Sequence, residues 1–464
     1  MTAPSSPGDG SWSELFSSEY RGPTTILAGG VAIYATNEFI TMSLMPSVVA
    51  DIGGPRIYAW VTTVYLVASV IAATTVGPAL IRYGPRNSYI AALLAFAAGS
   101  AVCMLAPGMA ALLAGRVVQG LAGGILAGLG YAVIAAALPE RLWTRASAVV
   151  SGMWGVGTVV GPAVGGLFAQ FASWRGAFGV LSVAAVLIAL VAPFALPARA
   201  TRTAAPLPIP FISLGLLGSA ALLVSVAMVS PHTTTLVALL AVAAGLVAVF
   251  VIVDRRVRAA VLPRATFGPG PLKWIYLTLG MLMAATMIDM YVPLLGQRVG
   301  QLTPLWAGFL GAALSVGWTL AEIGSASIAD RRAVARVVAA APLVMAAGFG
   351  VAALAGGTGP ATTAIAVWAA ALVMAGAGIG AAWPHLSAWA MSGTVDPGQQ
   401  AIAAAAITTV QLICGALGAG LAGVVANLRE HPDSGLARAM FAAFAGLAAI
   451  GSLAAVRAAR ERPR

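Results

Sequence analysis

The sequence predicts an all-α membrane protein that crosses the bilayer many times. Composition is the first reason. Of 464 residues, 60% are hydrophobic and only 8% are charged, where a soluble globular chain carries roughly a quarter. Apolar runs are the second. They recur along the whole chain at about 20 residues each, enough to cross a hydrocarbon core of roughly 30 Å as helices. The third is where the basic residues fall, and it fixes orientation.

Fourteen runs are read, near residues 24–46, 58–80, 89–106, 109–137, 146–170, 176–196, 210–229, 235–253, 272–296, 304–325, 337–356, 362–384, 400–426 and 437–456. With the N-terminus inside, the inner segments hold nineteen Lys/Arg, among them Arg82, Arg86, Arg141, Arg145, Arg255, Arg256, Arg258, Arg331 and Arg332. The outer loops hold five, namely Arg56, Arg175, Arg298, Arg429 and Arg438. Basic residues collect on the cytoplasmic side, so both termini are expected in the cytoplasm and the protein in the inner (plasma) membrane. The net charge of +11 is therefore topology, and no nucleic-acid partner is expected. The two cysteines, Cys103 and Cys414, sit inside apolar runs and imply neither a disulfide framework nor a metal cluster. The polar, acidic start of the chain lacks the basic region of a secretory signal, so the first span is expected to stay in the mature protein.

The elements group into blocks: a tail at 1–23, six spans over 24–196, a Pro/Ala/Thr linker and two bland spans over 197–271, six spans over 272–456, and a basic tail at 457–464. The six-span blocks echo one another. The first span carries Glu38 before Met45-Pro46, and the ninth carries Asp289 before Tyr291-Val292-Pro293. Transporters commonly place a substrate path between such repeats.

The fifth span contains GVGTVVGPAVGG at 155–166. Glycine is a poor helix former in water, but in a bilayer small residues let helices approach closely. Gly157, Gly161 and Gly165 lie four apart on one stripe, Pro162 adds a bend, and Gly166 widens the bare surface. The pattern GxxxGPxxGG resembles the antiporter signature in the fifth helix of drug:proton antiporters of the major facilitator superfamily. Arg116-Val-Val-Gln119-Gly120 is similar to that family's RxxQG motif. Gly77, Gly84 and Arg86 follow the superfamily's loop between the second and third helices, and Ser173-Trp174-Arg175 follows the fifth span as in many members. The resemblance covers essentially the whole chain, and fourteen spans match the larger branch of the family. It implies the major facilitator fold, two six-helix bundles plus two extra central helices. It departs in two places. The loop's usual Asp is Ile81, although Asp330-Arg331-Arg332 keeps a fuller version in the second half. The first helix's usual Asp is replaced by Asn37-Glu38, an acid shifted by one position.

An ionisable group inside the membrane needs a reason. Glu38 lies eight residues before the outer end of its span, about 12 Å deep, and Arg116 seven residues after the start of its own, about 10 Å deep. They share a depth. One reading is a structural ion bridge between helices. The other is a proton site: burial favours a neutral carboxyl and a nearby cation the ionised form, so a change in spacing would load and unload a proton. The resemblance favours the second, with Gln119 holding the arginine or meeting substrate. Asp289 has the counterpart depth in the second half, as a second proton carrier or a counter-ion for a cationic substrate, unless it pairs with Arg298. Glu322 and His385, near inner span ends, read as structural and interfacial. Trp60, Tyr65, Tyr131, Trp154, Tyr291, Trp306 and Trp318 are candidates for an aromatic lining; Trp60 and Trp306 suit interfacial anchoring, and Trp154 and Tyr291 suit a cavity. Aromatic faces attract cations.

The expected function is proton-coupled antiport: efflux of hydrophobic, cationic drugs or other xenobiotics by alternating access. The expected substrate-binding residues are Asn37, Gln119, Trp154, Asp289 and Tyr291, and the proton-coupling residues Glu38, Arg116 and Asp289. Gly77, Gly84, Arg86, Asp330 and Arg331 form gating loops. Small molecules, protons and membrane lipids are the expected partners of a monomer with no cofactor beyond the proton gradient. No GxxxxGK[ST] pattern supports ATP hydrolysis. The alternative is export of one endogenous metabolite or lipid. A membrane enzyme would need clustered catalytic groups, and His232, His385 and His431 are scattered.

Overall fold

The computed structural model describes residues 11–73, 75–196, 210–227, 230, 232–257, 259–325, 328, 330–355, 361–392, 397–427 and 434–461. These form helices α1 (Trp12–Leu15), α2 (Arg21–Ile52), α3 (Trp60–Ala73), α4 (Val76–Met104), α5 (Met109–Ala137), α6 (Glu140–Phe171), α7 (Trp174–Ala195), α8 (Phe211–Ala227) and α9 (Thr233–Asp254). They continue as α10 (Leu272–Thr286), α11 (Val292–Arg298), α12 (Pro304–Ser325), α13 (Arg331–Ala355), α14 (Ala361–Ser392), α15 (Pro397–Asn427) and α16 (Ser434–Glu461). No strand occurs among the described residues. In hydrocarbon every backbone group must pair within its own segment, which is why these Gly- and Pro-rich runs stay helical through Pro46, Pro162, Pro193, Pro342 and Pro384.

Twelve candidate spans are long and apolar enough to cross a membrane by length and composition. The two remaining apolar runs also lie on helices. Thr36, Asn37, Glu38 and Thr41 dilute α2, and α8 has only 17 residues. The protein is thus an all-α membrane protein with twelve to fourteen apolar helices.

Three boundaries differ from expectation. The run 58–80 is not one helix: α3 ends at Ala73 and α4 begins at Val76. Inside α4, Gly84 adopts φ 76° and ψ 170° immediately before Pro85, a backbone state that costs glycine little. The run 272–296 is broken by a 3-10 turn at Met287–Met290. Pro293 has no N–H to return to the Asp289 carbonyl, so the helix tightens there and restarts as α11.

Helices α2–α7 pack on one another, and α10–α16 form a second group, in which α10 lies on α14, α15 and α16 and α11 on α12. The two groups meet where α6 and α2 lie on α12 and where α3 lies on α15. With α10 and α11 taken as one crossing, the helices from α2 onward alternate in direction. The start of α2 and the end of α16 therefore share a face, where the Arg457 guanidinium lies 4.5 Å from the Trp274 ring at the start of α10. The α8–α9 hairpin leans α8 into the groove between α3 and α15. The buried Asp254 carboxylate closes the hairpin, accepting from Ser213 Oγ at 2.7 Å, Val261 N at 2.8 Å and Leu262 N at 2.9 Å.

Candidate functional site

Arg116, 1% exposed on α5, is the centre of a polar knot inside the first half. Its Nε donates to Val61 O of α3 at 3.1 Å, and its Nη1 donates to Gln119 Oε1 at 2.9 Å and to Asn37 Oδ1 at 3.3 Å. The guanidinium carbon lies 4.0 Å from the Tyr65 ring centroid. Gln119 Nε2 donates to Ser100 Oγ of α4 at 2.8 Å and to Asn37 Oδ1 at 3.3 Å. Four helices, α2 to α5, therefore meet in one hydrogen-bonded network. Gly120 explains how α3 and α5 come so close: a Cβ there would collide with the Tyr65 carbonyl.

Glu38 does not pair with Arg116; among the described residues Arg116 has no ion-pair partner. The structural bridge is thus not the arrangement found. Successive residues on a helix point about 100° apart, so the one-residue shift gives Asn37 the place beside Arg116 and turns Glu38 away. Glu38 is half-buried and within electrostatic reach of Arg116, Tyr34 and Asp289. A buried guanidinium held only by neutral acceptors and a π face keeps its charge uncompensated, which is costly away from a carboxylate.

An aromatic series leaves Tyr65. It stacks on Tyr34 at 6.1 Å, and Tyr34 meets the half-buried Trp154 edge-on at 5.5 Å. Trp154 opens the glycine stripe. Added Cβ atoms at Gly157, Gly161 and Gly165 would meet Ala35, Phe39 and Ile40 of α2, so the stripe lies against the α2 segment that carries Glu38. Gly166 faces elsewhere: it abuts Leu305 of α12, while Gly308 of α12 abuts Ser43 and Pro162.

In the second half, Asp289 sits in the 3-10 turn, 4% exposed, with Oδ1 lacking a hydrogen-bond partner. It does not pair with the exposed Arg298. Tyr291, expected to meet substrate, takes part in a seam: it stacks on Tyr58 at 4.7 Å, and Tyr58 Oη donates to Met290 O at 2.8 Å. Asn427 Nδ2 also donates to Arg56 O at 3.0 Å across the halves. Trp60, expected as an interfacial anchor, donates Nε1 to Ser225 O of α8 at 2.6 Å. Trp306 is 63% exposed. The Tyr131 side chain lies outside the described residues.

These seams all lie toward the face opposite the start of α2 and the end of α16. Gly155 lies on the same side of α6 as Pro162, two turns nearer the termini, yet a Cβ there would meet nothing within 4 Å. The contacts found between the halves thus gather at one face, while the other, the parted face, leaves room beside Gly155. Near the parted face, Arg86 Nε ties α4 to Leu196 O at 2.9 Å, and Gly77 lies in the first turn of α4. In the second half, Asp330 Oδ2 accepts from Ala333 N at 2.8 Å and so caps α13, while Arg331 is exposed. At the closed face Asp51 accepts from Trp174 Nε1 and Arg175 Nη1, donors that hold its carboxyl below the usual carboxylate range.

Sequence reasoning passed over Ser100, Val61 and Tyr58. Nothing in their local pattern marks them, because each acts through a partner distant in the chain. A Mycobacterium tuberculosis protein named "Probable multidrug-efflux transporter" is 54% identical over 461 residues, covering 98% of each chain. Among solved structures, an auto-inhibited POT family peptide transporter superposes with a TM-score of 0.69 at 15% identity, covering 96% of this chain and 98% of that one. A D-xylose–proton symporter superposes at 0.65 and 16% identity, covering 93% and 97%; at these identities the likeness speaks for the fold. The sequence pattern of the Major Facilitator Superfamily matches residues 27–419. With two packed groups of helices, the first holding a buried polar knot, this chain belongs to the major facilitator superfamily, as a membrane transport protein and not an enzyme.

Proposed function

We propose that the protein exports hydrophobic, cationic compounds in exchange for protons, as a fourteen-span monomer of the drug:proton antiporter branch in the plasma membrane. Both termini are in the cytoplasm, so the parted face is the inner one. Residues 24–196 and 272–456 rock against one another, with 197–271 outside the cycle's core. The name of the 54% identical mycobacterial relative supports export. The observation that carries the coupling mechanism is the uncompensated Arg116 beside a half-buried Glu38 that also feels Asp289. In the present form Asn37 and Gln119 occupy the guanidinium. A turn or slide of α2 along the glycine stripe brings Glu38 toward Arg116, which favours the ionised carboxylate and releases its proton. Drawing Glu38 back lets it take a proton or face a cationic substrate, and the two compete.

Proton-driven efflux from liposomes tests this. Glu38→Gln keeps size and removes titration, so uphill efflux should vanish while binding of an uncharged substrate survives. Recovery of uphill efflux in the Glu38→Gln, Arg116→Gln double variant would refute the assignment and leave Asp289 as the next candidate.

A further inference from the structure

The stripe of α12 that meets the first half continues toward the parted face. Gly308, which abuts Ser43 and Pro162, shares a helical face with Ser315, Thr319 and Glu322, since 3.6 residues make a turn. Glu322 is fourteen residues further on, about 21 Å along the axis, and half-buried. Helix geometry thus places it on the α12 face that turns toward the first half, on the parted side. Its carboxylate is held in place, because Trp318 Nε1 donates to Oε2 at 2.9 Å. The Trp318 ring in turn lies 5.2 Å from that of Trp383 on α14, tilted by 52°. Close helix contact builds this group: a Cβ on Gly380 of α14 would collide with the Trp318 carbonyl. A carboxylate offers about four lone-pair sites, of which the indole takes one. Both indoles are half-buried.

We infer that Glu322, Trp318 and Trp383 form a second binding site, on the parted side, for a lipophilic organic cation before it reaches the centre. The carboxylate supplies charge, and the tilted indoles supply two π faces that attract a cation, most strongly where water is excluded. A neutral compound of the same shape gains only apolar contact there. The inference rests on the export of hydrophobic cations proposed above, and names where they are first held.

The test is equilibrium binding of tetraphenylphosphonium to the full chain in lipid nanodiscs, with neutral triphenylphosphine oxide as control. Glu322→Gln and Trp318→Phe should each weaken binding of the cation, the first about tenfold (about 1.4 kcal/mol), and leave the neutral compound unchanged. Equal affinity of wild type and Glu322→Gln for the cation overturns the site, as does absence of cation binding in wild type. Misfolding is excluded by unchanged binding of the neutral compound. Failure of the export reading looks different: pH-driven efflux of any dye is absent from liposomes while binding that depends on Glu322 persists.

Discussion

Two glycines on one helix give a matched pair of substitutions. A methyl added at Gly161 would sit 3.2 Å from Ile40 N and from the Phe39 carbonyl carbon, and closer still to Phe39 Cβ. Favourable carbon contacts lie at about 3.5–4.0 Å, so α2 and α6 must part by on the order of 1 Å. A gap of that size forfeits about a quarter to a half of each dispersion contact along the seam, and overpacking of this kind costs about 1–3 kcal/mol. A methyl at Gly155, six residues away, meets nothing within 4 Å. There the substitution gains up to about 1 kcal/mol of helix propensity. Gly161→Ala should therefore unfold at lower denaturant than wild type, and Gly155→Ala at the same or higher. Detergent-titrated unfolding of the purified protein measures the difference. Because Phe39 and Ile40 follow Glu38 directly, Gly161→Ala should also impair proton-driven efflux, while Gly155→Ala should not. Two variants with the same unfolding midpoint and the same efflux would refute the close contact as the reason for glycine.

Arg116→Lys keeps the charge but not the planar fork that reaches Val61, Asn37 and Gln119 while stacking on Tyr65. It should lose at least one charge-assisted bond, about 1.5–3 kcal/mol, and an unfolding midpoint equal to wild type would sink the polar knot as drawn. At the closed face, the donors on Asp51 lower its carboxyl below the ordinary value of about 4. The stabilisation is then present above that value and lost as pH falls through the lower folded one. Midpoints taken from about pH 6 down to about pH 3 should fall less steeply for Asp51→Asn; an unchanged slope would remove the clasp from the account.

What the sequence by itself determined is one-dimensional. Apolar runs longer than the bilayer core must be helices, since no other open structure pairs its backbone in hydrocarbon. The spacing of Gly157, Gly161 and Gly165 marked a seam. Depth along an axis was also legible, which is how Glu38 and Arg116 were brought to one level. Depth does not say which neighbour occupies a given direction around the helix. That Asn37 takes the guanidinium while Glu38 turns away depends on how α2, α3, α4 and α5 pack, and those contacts join residues up to 82 positions apart. The same holds for Gly166, which meets the other half while its stripe neighbours meet α2, and for Tyr291, closed into a seam by Tyr58. Periodicity orients each helix about its own axis; only the packing of distant segments decides what stands opposite.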